Sequence, residues 1–425
     1  MIDSSTSHSF GVAHLRERFP ALQQTVRGRV PVFFDNPAGT QVPADVVDAM
    51  RDMLVTSNSY PHGSFHASEQ SSGAVDGAHA AMADMLGASS PDEIVIGPNM
   101  TTLTFAISRA IGRGLSAGDE IVVTTLDHDG NVAPWRALEE RGVVIRTVDI
   151  NPADCTLDMA DLAAKIGPRT RVVAVTHCSN LVGSIVDAAE VCRLARQAGA
   201  LSYIDAVQYA AHGTIDVRAL DCDFLVCSSY KFFGPHLGIL YGKRERLEAI
   251  HPYKVRPASD DLPGRFETGA PSVEGCAGLL GAMAYLEHVG TSEGAASGDL
   301  NRRGRILAAQ TAIRAYEMTL GRRLLQGLAR IHGLRIWGIA DPERMAERVP
   351  TVSFTLAGHH PDAVASWLAG QEIYVWSGNN YALSLTERLN LEQSGGVVRV
   401  GPVHYNTTAE IDRLLDSVES LARKA

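Results

Sequence analysis

Asp223-Phe-Leu-Val-Cys-Ser-Ser-Tyr-Lys-Phe-Phe-Gly-Pro235 packs an apolar run, small polar residues, a lysine, two aromatics and a Gly-Pro break into one short stretch. Apolar residues bounded by turn signals read as a strand buried on both faces. A lysine at the end of such a strand sits where desolvation lowers its pKa, which suits an imine-forming amine. A lysine that merely snorkels to the surface would fit the same stretch. The decision therefore rests on what surrounds it.

Working outward, the chain alternates strand and helix patterns from about Glu93 to Tyr241. Short apolar runs predict strands at Glu93–Ile96, Glu120–Thr124, Val143–Val148, Arg171–Thr176, Leu201–Ile204, Phe224–Cys227 and Leu237–Tyr241. Helical patterns at Thr102–Arg113, Val132–Arg141, Met159–Ile166 and Ala188–Ala198 lie between most of them. Such alternation implies an α/β, doubly wound sheet covered on both faces. The last two strands are joined by a loop, which allows one of the seven to run antiparallel.

Upstream are helical patterns at Ala44–Val55 and Ser71–Leu86. Between them Ser57 to His66 is aromatic, polar and too long for a simple turn. It reads either as a binding loop, with His66 a candidate substrate contact, or as ordinary surface. After Gly269 the pattern changes. Helices are expected at Val273–Val289 and from Leu300 to about Ile331, then at Pro361–Leu368 and Thr408–Arg423. Strands are expected at Leu334–Trp337, Thr351–Thr355 and Ile373–Trp376. The expected division is an N-terminal segment (1–30) packing with the small domain, a large domain (31–290) and a smaller α+β C-terminal domain (291–425).

The chain has 425 residues, 45% hydrophobic, and a formal net charge of −10 with no dominant block of like charge. That balance argues against nucleic acid and against an anionic membrane surface. Met1 to Phe10 is rich in Ser and His and lacks the features of a secretory signal. No run of eighteen apolar residues occurs, so no membrane-spanning helix is expected. The six cysteines form no C-x-x-C pair and read as reduced thiols of a cytoplasmic protein.

Other strand ends carry further candidates. Asp205, in Tyr203-Ile-Asp-Ala-Val-Gln208, follows an apolar strand and either points into a ligand crevice or caps a helix. Asn99-Met-Thr-Thr-Leu-Thr104 places hydroxyls at the start of a helix, as a phosphate site or as a plain N-cap. His128, in Leu126-Asp-His-Asp-Gly-Asn131, offers a flat imidazole, although a lone loop histidine is more often without function. His177-Cys-Ser-Asn180 adds an amide. Singly, each has a bland reading. In chain order, His128, Asn180, Asp205 and Lys231 on successive strand ends form a set that suits pyridoxal 5'-phosphate.

That set resembles the class V aminotransferases of the cysteine desulfurase-like group, pyridoxal-phosphate enzymes of fold type I. The matching stretches are Phe34-Asp-Asn-Pro-Ala-Gly-Thr-Gln41, Asn99-Met-Thr-Thr102, Asp127-His128, His177-Cys-Ser-Asn180, Asp205-Ala-Val-Gln208, Ser228-Ser-Tyr-Lys231, Arg265-Phe-Glu-Thr-Gly269 and Arg399-Val-Gly with Tyr405-Asn-Thr407. The resemblance implies that Lys231 carries the cofactor as a Schiff base and later moves the α-proton. Asp205 would pair with the pyridine nitrogen and His128 would stack on the ring. Asn180 and Gln208 would contact the phenolic oxygen. Thr101, Thr102, Ser228 and Tyr230 would bind phosphate; relatives usually have His where Tyr230 stands. Arg399 would clamp the substrate carboxylate, and a homodimer is implied.

Two departures matter. Desulfurases of this group carry a nucleophilic cysteine in a pattern such as Arg-x-Gly-His-His-Cys, where this chain has Trp376-Ser-Gly-Asn-Asn-Tyr381. Without a thiolate there, a persulfide does not form in the usual way. Tyr381 becomes a candidate acid or positioning group, with Asn380 a candidate substrate contact. Both also fit plain pocket lining. Second, Ala270 stands where relatives place a Thr that reaches the neighbouring subunit's phosphate site. The expected activity is on an α-amino acid through an α-carbanion. A lyase (β-elimination, including C–S cleavage) is favoured. A class V aminotransferase or an epimerase is the alternative, and a non-catalytic cofactor-binding module the rival from another class.

Overall fold

The computed structural model describes residues 10–294 and 299–424, so the Ser- and His-rich start up to Ser9 lies outside the described residues. The central sheet has seven strands: β1 (Ile94–Gly97), β2 (Glu120–Thr124), β3 (Val144–Val148), β4 (Thr170–Thr176), β5 (Leu201–Asp205), β6 (Phe224–Ser228) and β7 (Gly238–Gly242). Their spatial order is β1-β7-β6-β5-β4-β2-β3. Strands β2 to β6 are mutually parallel, and β7 is antiparallel to both neighbours. The link from β6 to β7, residues 229–237, is too short for a helical crossover, so β7 must return in reverse.

Helices α1 (Ala44–Thr56), α2 (His66–Leu86), α3 (Met100–Gly112), α4 (Ala188–Gln197) and α5 (Val273–Ser292) pack around this sheet. Successive strand residues enter opposite cores. Val122 and Ile204 lie in the cluster with Leu86 and Leu279, whereas Val123 and Tyr203 lie with Ile107 and Trp135. This is the period-two geometry of a strand covered on both sides. Strand β3, at the edge, alternates between exposed and half-buried residues and buries only Val148.

Helix α6 (Arg302–Leu328), a four-stranded antiparallel sheet and helix α7 (Thr408–Ala422) form the smaller part. The sheet runs β8 (Leu334–Trp337), β9 (Val352–Leu356), β11 (Val397–Val400), β10 (Trp376–Gly378) in space. The single strand expected at Ile373–Trp376 is instead divided. Ile373–Tyr374 pairs in parallel with Val32–Phe33, and Trp376–Gly378 joins β11. Strand β11 escapes an apolar-run reading because Arg399 interrupts Val-Val-Arg-Val. Helix α2 starts at His66, five residues before the expected Ser71, because its first turn is polar and shows no apolar period.

The N-terminal segment bridges the two parts. Arg16 pairs with Glu410 at 2.9 Å and Phe10 stacks on Tyr316 at 4.6 Å, both small-domain residues. Leu15, Phe19 and Leu22, however, bury in the large core. Val32 and Phe34, expected in the large domain, join the small-domain core with Phe354 and Val398.

Arg348 ties the parts together from a fully buried position. Its guanidinium donates to the carbonyls of Val182 (3.2 Å), Val349 (3.2 Å), Thr351 (2.5 Å) and Ile339. Replacing it with methionine leaves these buried oxygens without donors. Arg348→Met should therefore cost about 3 kcal/mol of stability. A thermal midpoint equal to that of the wild type would contradict this.

Candidate active site

The carboxyl ends of β2, β4, β5 and β6 open on one edge of the sheet, where parallel α/β sheets place ligands. There they line a cavity. Met100 and Thr101 come from the start of α3, and His128 from the turn after β2. Thr176, Cys178 and Asn180 come from the end of β4. Asp205, Val207 and Gln208 follow β5, and Tyr230 and Lys231 follow β6. The structure thus gathers seven expected site residues: Thr101, His128, Asn180, Asp205, Gln208, Tyr230 and Lys231.

The remaining candidates lie around that group or away from it. Ser228 sits behind it, its hydroxyl accepting from the Met100 N–H at 3.2 Å. Asn99 caps α3 by accepting from the Thr102 N–H at 2.8 Å, and the Thr102 side chain is exposed rather than in the cavity wall. Among the described residues no acceptor takes the Thr101 N–H, which leaves that donor at the helix start for an anion. The turn passes close over β7: a Cβ on Gly238 would lie 2.3 Å from the Asn99 carbonyl carbon, so only glycine fits. His66 is exposed at the start of α2 and is not among the cavity residues. Within this chain His66 stands apart from the residues that line the cavity.

Three residues of the smaller part reach the site. Arg399, buried on β11, donates from Nη1 to the Asn180 carbonyl at 3.0 Å, and its Nε has no partner. The Asn380 carbonyl accepts from Asn180 Nδ2 at 2.8 Å. The Tyr381 carbonyl accepts from the Asp129 N–H at 2.7 Å, and its ring stacks on His128 at 5.3 Å and 22°. Asn380 (φ 51°) and Tyr381 (φ 60°) both adopt the left-handed region. Two consecutive non-glycine residues there hold strain that these hydrogen bonds offset.

Burial dominates the electrostatics. Desolvation pulls the Lys231 ammonium down to about 7; the nearby Arg399 charge adds to this and Asp205 opposes it. Burial pushes the Asp205 carboxyl up to about 6, against the Val207 N–H and Lys231. His128 falls to about 3 through burial and the cations Lys231 and Arg399, so its imidazole is neutral. Its Nδ1 accepts from the Gly130 N–H at 2.9 Å. Behind it, buried Asp127 holds the turn by accepting from Asn131 Nδ2 at 2.7 Å and from the Thr124 hydroxyl.

An amine that titrates near 7 is largely neutral at physiological pH. The sign follows directly: protonated Lys231 is unreactive, and the neutral fraction rises through pH 7 and saturates above it. Capture of added pyridoxal phosphate by the cofactor-free protein should therefore speed up about tenfold from pH 6 to pH 8 and then level off. Stopped-flow absorbance checks this; a rate still rising steeply between pH 9 and 10 would show an ordinary lysine.

The cavity fits pyridoxal phosphate on the structure's own terms. Lys231 supplies the amine and Asp205 an anion awaiting a cation. Asn180 Oδ1, Gln208 Oε1 and Arg399 Nε are polar atoms without partners around the same space. All six cysteines are buried. Cys178 alone lines the cavity, and there burial raises its thiol far above the usual range while Sγ donates to the Gly183 carbonyl at 3.3 Å.

Some site residues escaped the sequence reading. Thr176 and Val207 are cavity wall with no chemical signature of their own. Asp35 is placed beside Arg399, and its carboxyl is raised to about 6 by burial against the arginine's pull. The Pro37 carbonyl accepts from Lys231 Nζ. Both lie in Phe34–Gln41, a stretch that matched the family without suggesting a role.

A family model described as aminotransferase class-V matches residues 32–302 and 306–414. A cysteine desulfurase of Dickeya dadantii is 32% identical over 430 residues, covering 97% of each chain. The solved structure of a cysteine desulfurase from Thermococcus onnurineus in its apo form matches with a TM-score of 0.86 and 26% identity over 100% of both chains. A cysteine desulfurase from Escherichia coli, in an S-sulfonic acid form, matches with a TM-score of 0.83 and 26% identity over 98% of this chain and 99% of that one. By fold, by the lysine at the end of β6 and by similarity over nearly its whole length, this chain belongs to the aminotransferase class-V family of pyridoxal-phosphate-dependent enzymes.

Proposed function

We propose that this enzyme is a lyase that acts on an α-amino acid by β-elimination, C–S cleavage included, without a protein-bound persulfide. One observation carries the reading. Tyr381, which the resemblance sets where desulfurases carry their cysteine, stacks on His128, while every thiol of the chain is buried. A sulfur acceptor on the protein would have to be a thiolate, and the one thiol in the cavity wall is held protonated.

The residues divide the work as follows. Pyridoxal phosphate, when bound, supplies the electron sink for the pair left by the departing α-proton. Lys231 Nζ, near 7, takes that proton and can return it. Arg399 receives the α-carboxylate through parallel N–H donors. Asp205 balances positive charge on the ring side of the cavity. His128, neutral and clamped by Tyr381, offers a flat apolar face and excludes water. The Tyr381 phenol, exposed at the mouth, offers a proton donor for a leaving group. Exposed apolar side chains at Tyr60, Phe65, Tyr253 and Val255 support a homodimer, and six free thiols support a cytoplasmic setting.

The test is a panel of amino acids and S-substituted cysteines, with products identified by mass spectrometry. Pyruvate and ammonia from an S-substituted cysteine, with no added sulfur mass on the protein, are expected. A keto acid with pyridoxamine phosphate would mean a transaminase, and loss of optical activity alone an epimerase. Either result overturns the lyase reading.

A further inference from the structure

A second buried polar group lies behind Gln208, on the side away from the cavity. His212 Nδ1 is 2.7 Å from Glu317 Oε2, and the two side chains are 3% and 1% exposed. His212 Nε2 lies 3.3 Å from Gln208 Nε2, which also donates to Thr351 Oγ1 at 3.2 Å. Glu317 Oε1 and Gln208 Oε1 have no partner. Glu317 belongs to α6, more than one hundred residues from His212 in sequence, so tertiary packing alone builds the pair.

The two facing nitrogens pose a choice. With His212 Nε2 bare, Gln208 gives it an N–H and turns a carbonyl oxygen to the cavity. With a proton on Nε2, the Gln208 oxygen accepts it and the NH2 turns to the cavity. The two orientations have the same shape and opposite hydrogen-bonding sense. Thr351 suits either, since a hydroxyl both donates and accepts. A proton on Nε2 places a positive ring 2.7 Å from the Glu317 carboxylate, an opposite-charge contact inside the core. His404 lies within reach of the His212 charge; burial and that charge hold it down to about 3, so it stays neutral. On the cavity side, the Arg399 cation favours a ligand oxygen that carries negative charge, and such an oxygen needs a donor.

We infer that the buried His212–Glu317 pair is a positioning device that keeps a proton on His212 Nε2, so that Gln208 presents its NH2 to the ring oxygen of bound pyridoxal phosphate. The inference rests on the cofactor reading above. Neither His212 nor Glu317 touches the cavity; both act through Gln208.

The test uses the cofactor-loaded enzyme and reads the pH midpoint of its visible absorption band. Glu317→Gln keeps size and hydrogen bonding but removes the charge. The midpoint should rise by about one pH unit, because an anionic oxygen that loses a donor holds a proton more tightly. Gln208→Met should raise it by a similar amount, and the double variant should show no further shift. Thermal midpoints identify variants that fold; where Glu317→Gln does not, His212→Gln takes its place in the same comparison. A folded Glu317→Gln enzyme with the wild-type midpoint overturns the inference, and so does a shift that adds to that of Gln208→Met. A wild type that shows no visible band after cofactor addition would instead remove the cofactor reading itself.

Discussion

Lys231→Ala should abolish turnover, lowering kcat by about 10,000-fold or more. The protein should also lose any cofactor attachment that survives borohydride treatment. The expectation follows from position. Lys231 lines the cavity, with Asp205 near it and its Nζ held by the Pro37 carbonyl. An amine brought down to about 7 is both a nucleophile and a proton carrier at neutral pH. No other lysine or histidine in the cavity replaces it, since His128 is held near 3. Folding should not suffer, because burying this amine opposes its charge rather than gaining a strong pair. Intact mass after borohydride reduction checks the attachment. A cofactor adduct on the alanine variant would show that another residue is the anchor.

Arg399→Ala should raise KM for the amino-acid substrate by about 100- to 1,000-fold, equivalent to about 3–4 kcal/mol. Arg399 is buried, is pinned by the Asn180 carbonyl at 3.0 Å and retains an unpartnered Nε. Burial pulls its guanidinium down to about 9, with Asp35 opposing, so it remains charged at neutral pH. A carboxylate that enters this site gains two parallel hydrogen bonds and a desolvated opposite charge. Arg399→Lys should recover only part of the loss, since an ammonium cannot match both oxygens in one plane. Steady-state kinetics with a carboxylate substrate and its amide distinguish the cause: the amide should discriminate little between wild type and variant. Equal losses on both substrates would assign Arg399 to packing.

The large sheet was legible because its strands are buried on both faces. Continuous apolar runs such as Ile121–Val123 and Val172–Val175 leave little choice but a strand. The smaller sheet was less so. Its strands are short, Arg399 interrupts one, and the Ile373–Trp376 run divides between two pairings. The site followed the same division. Lys231, Asp205, Asn180 and His128 sit directly after legible strands, so their positions at one sheet edge follow from the fold. His66 had only loop composition to recommend it, and its first-turn position on α2 points it to the surface.

The amino-acid sequence by itself determined which strand ends carry an amine, an acid, an imidazole and an amide, and that no cysteine stands at Tyr381. Local patterning is enough for that, because strand burial and strand-end chemistry are written within a few residues. Lys231 as a buried amine near 7, Arg399 and Tyr381 brought from the smaller part, and the His212–Glu317 pair behind Gln208 were decided only by the tertiary structure. Contacts across more than one hundred residues set the last three, and such contacts have no local trace in the chain; for Lys231 the buried strand end hinted at desolvation, and the packing around it set the extent.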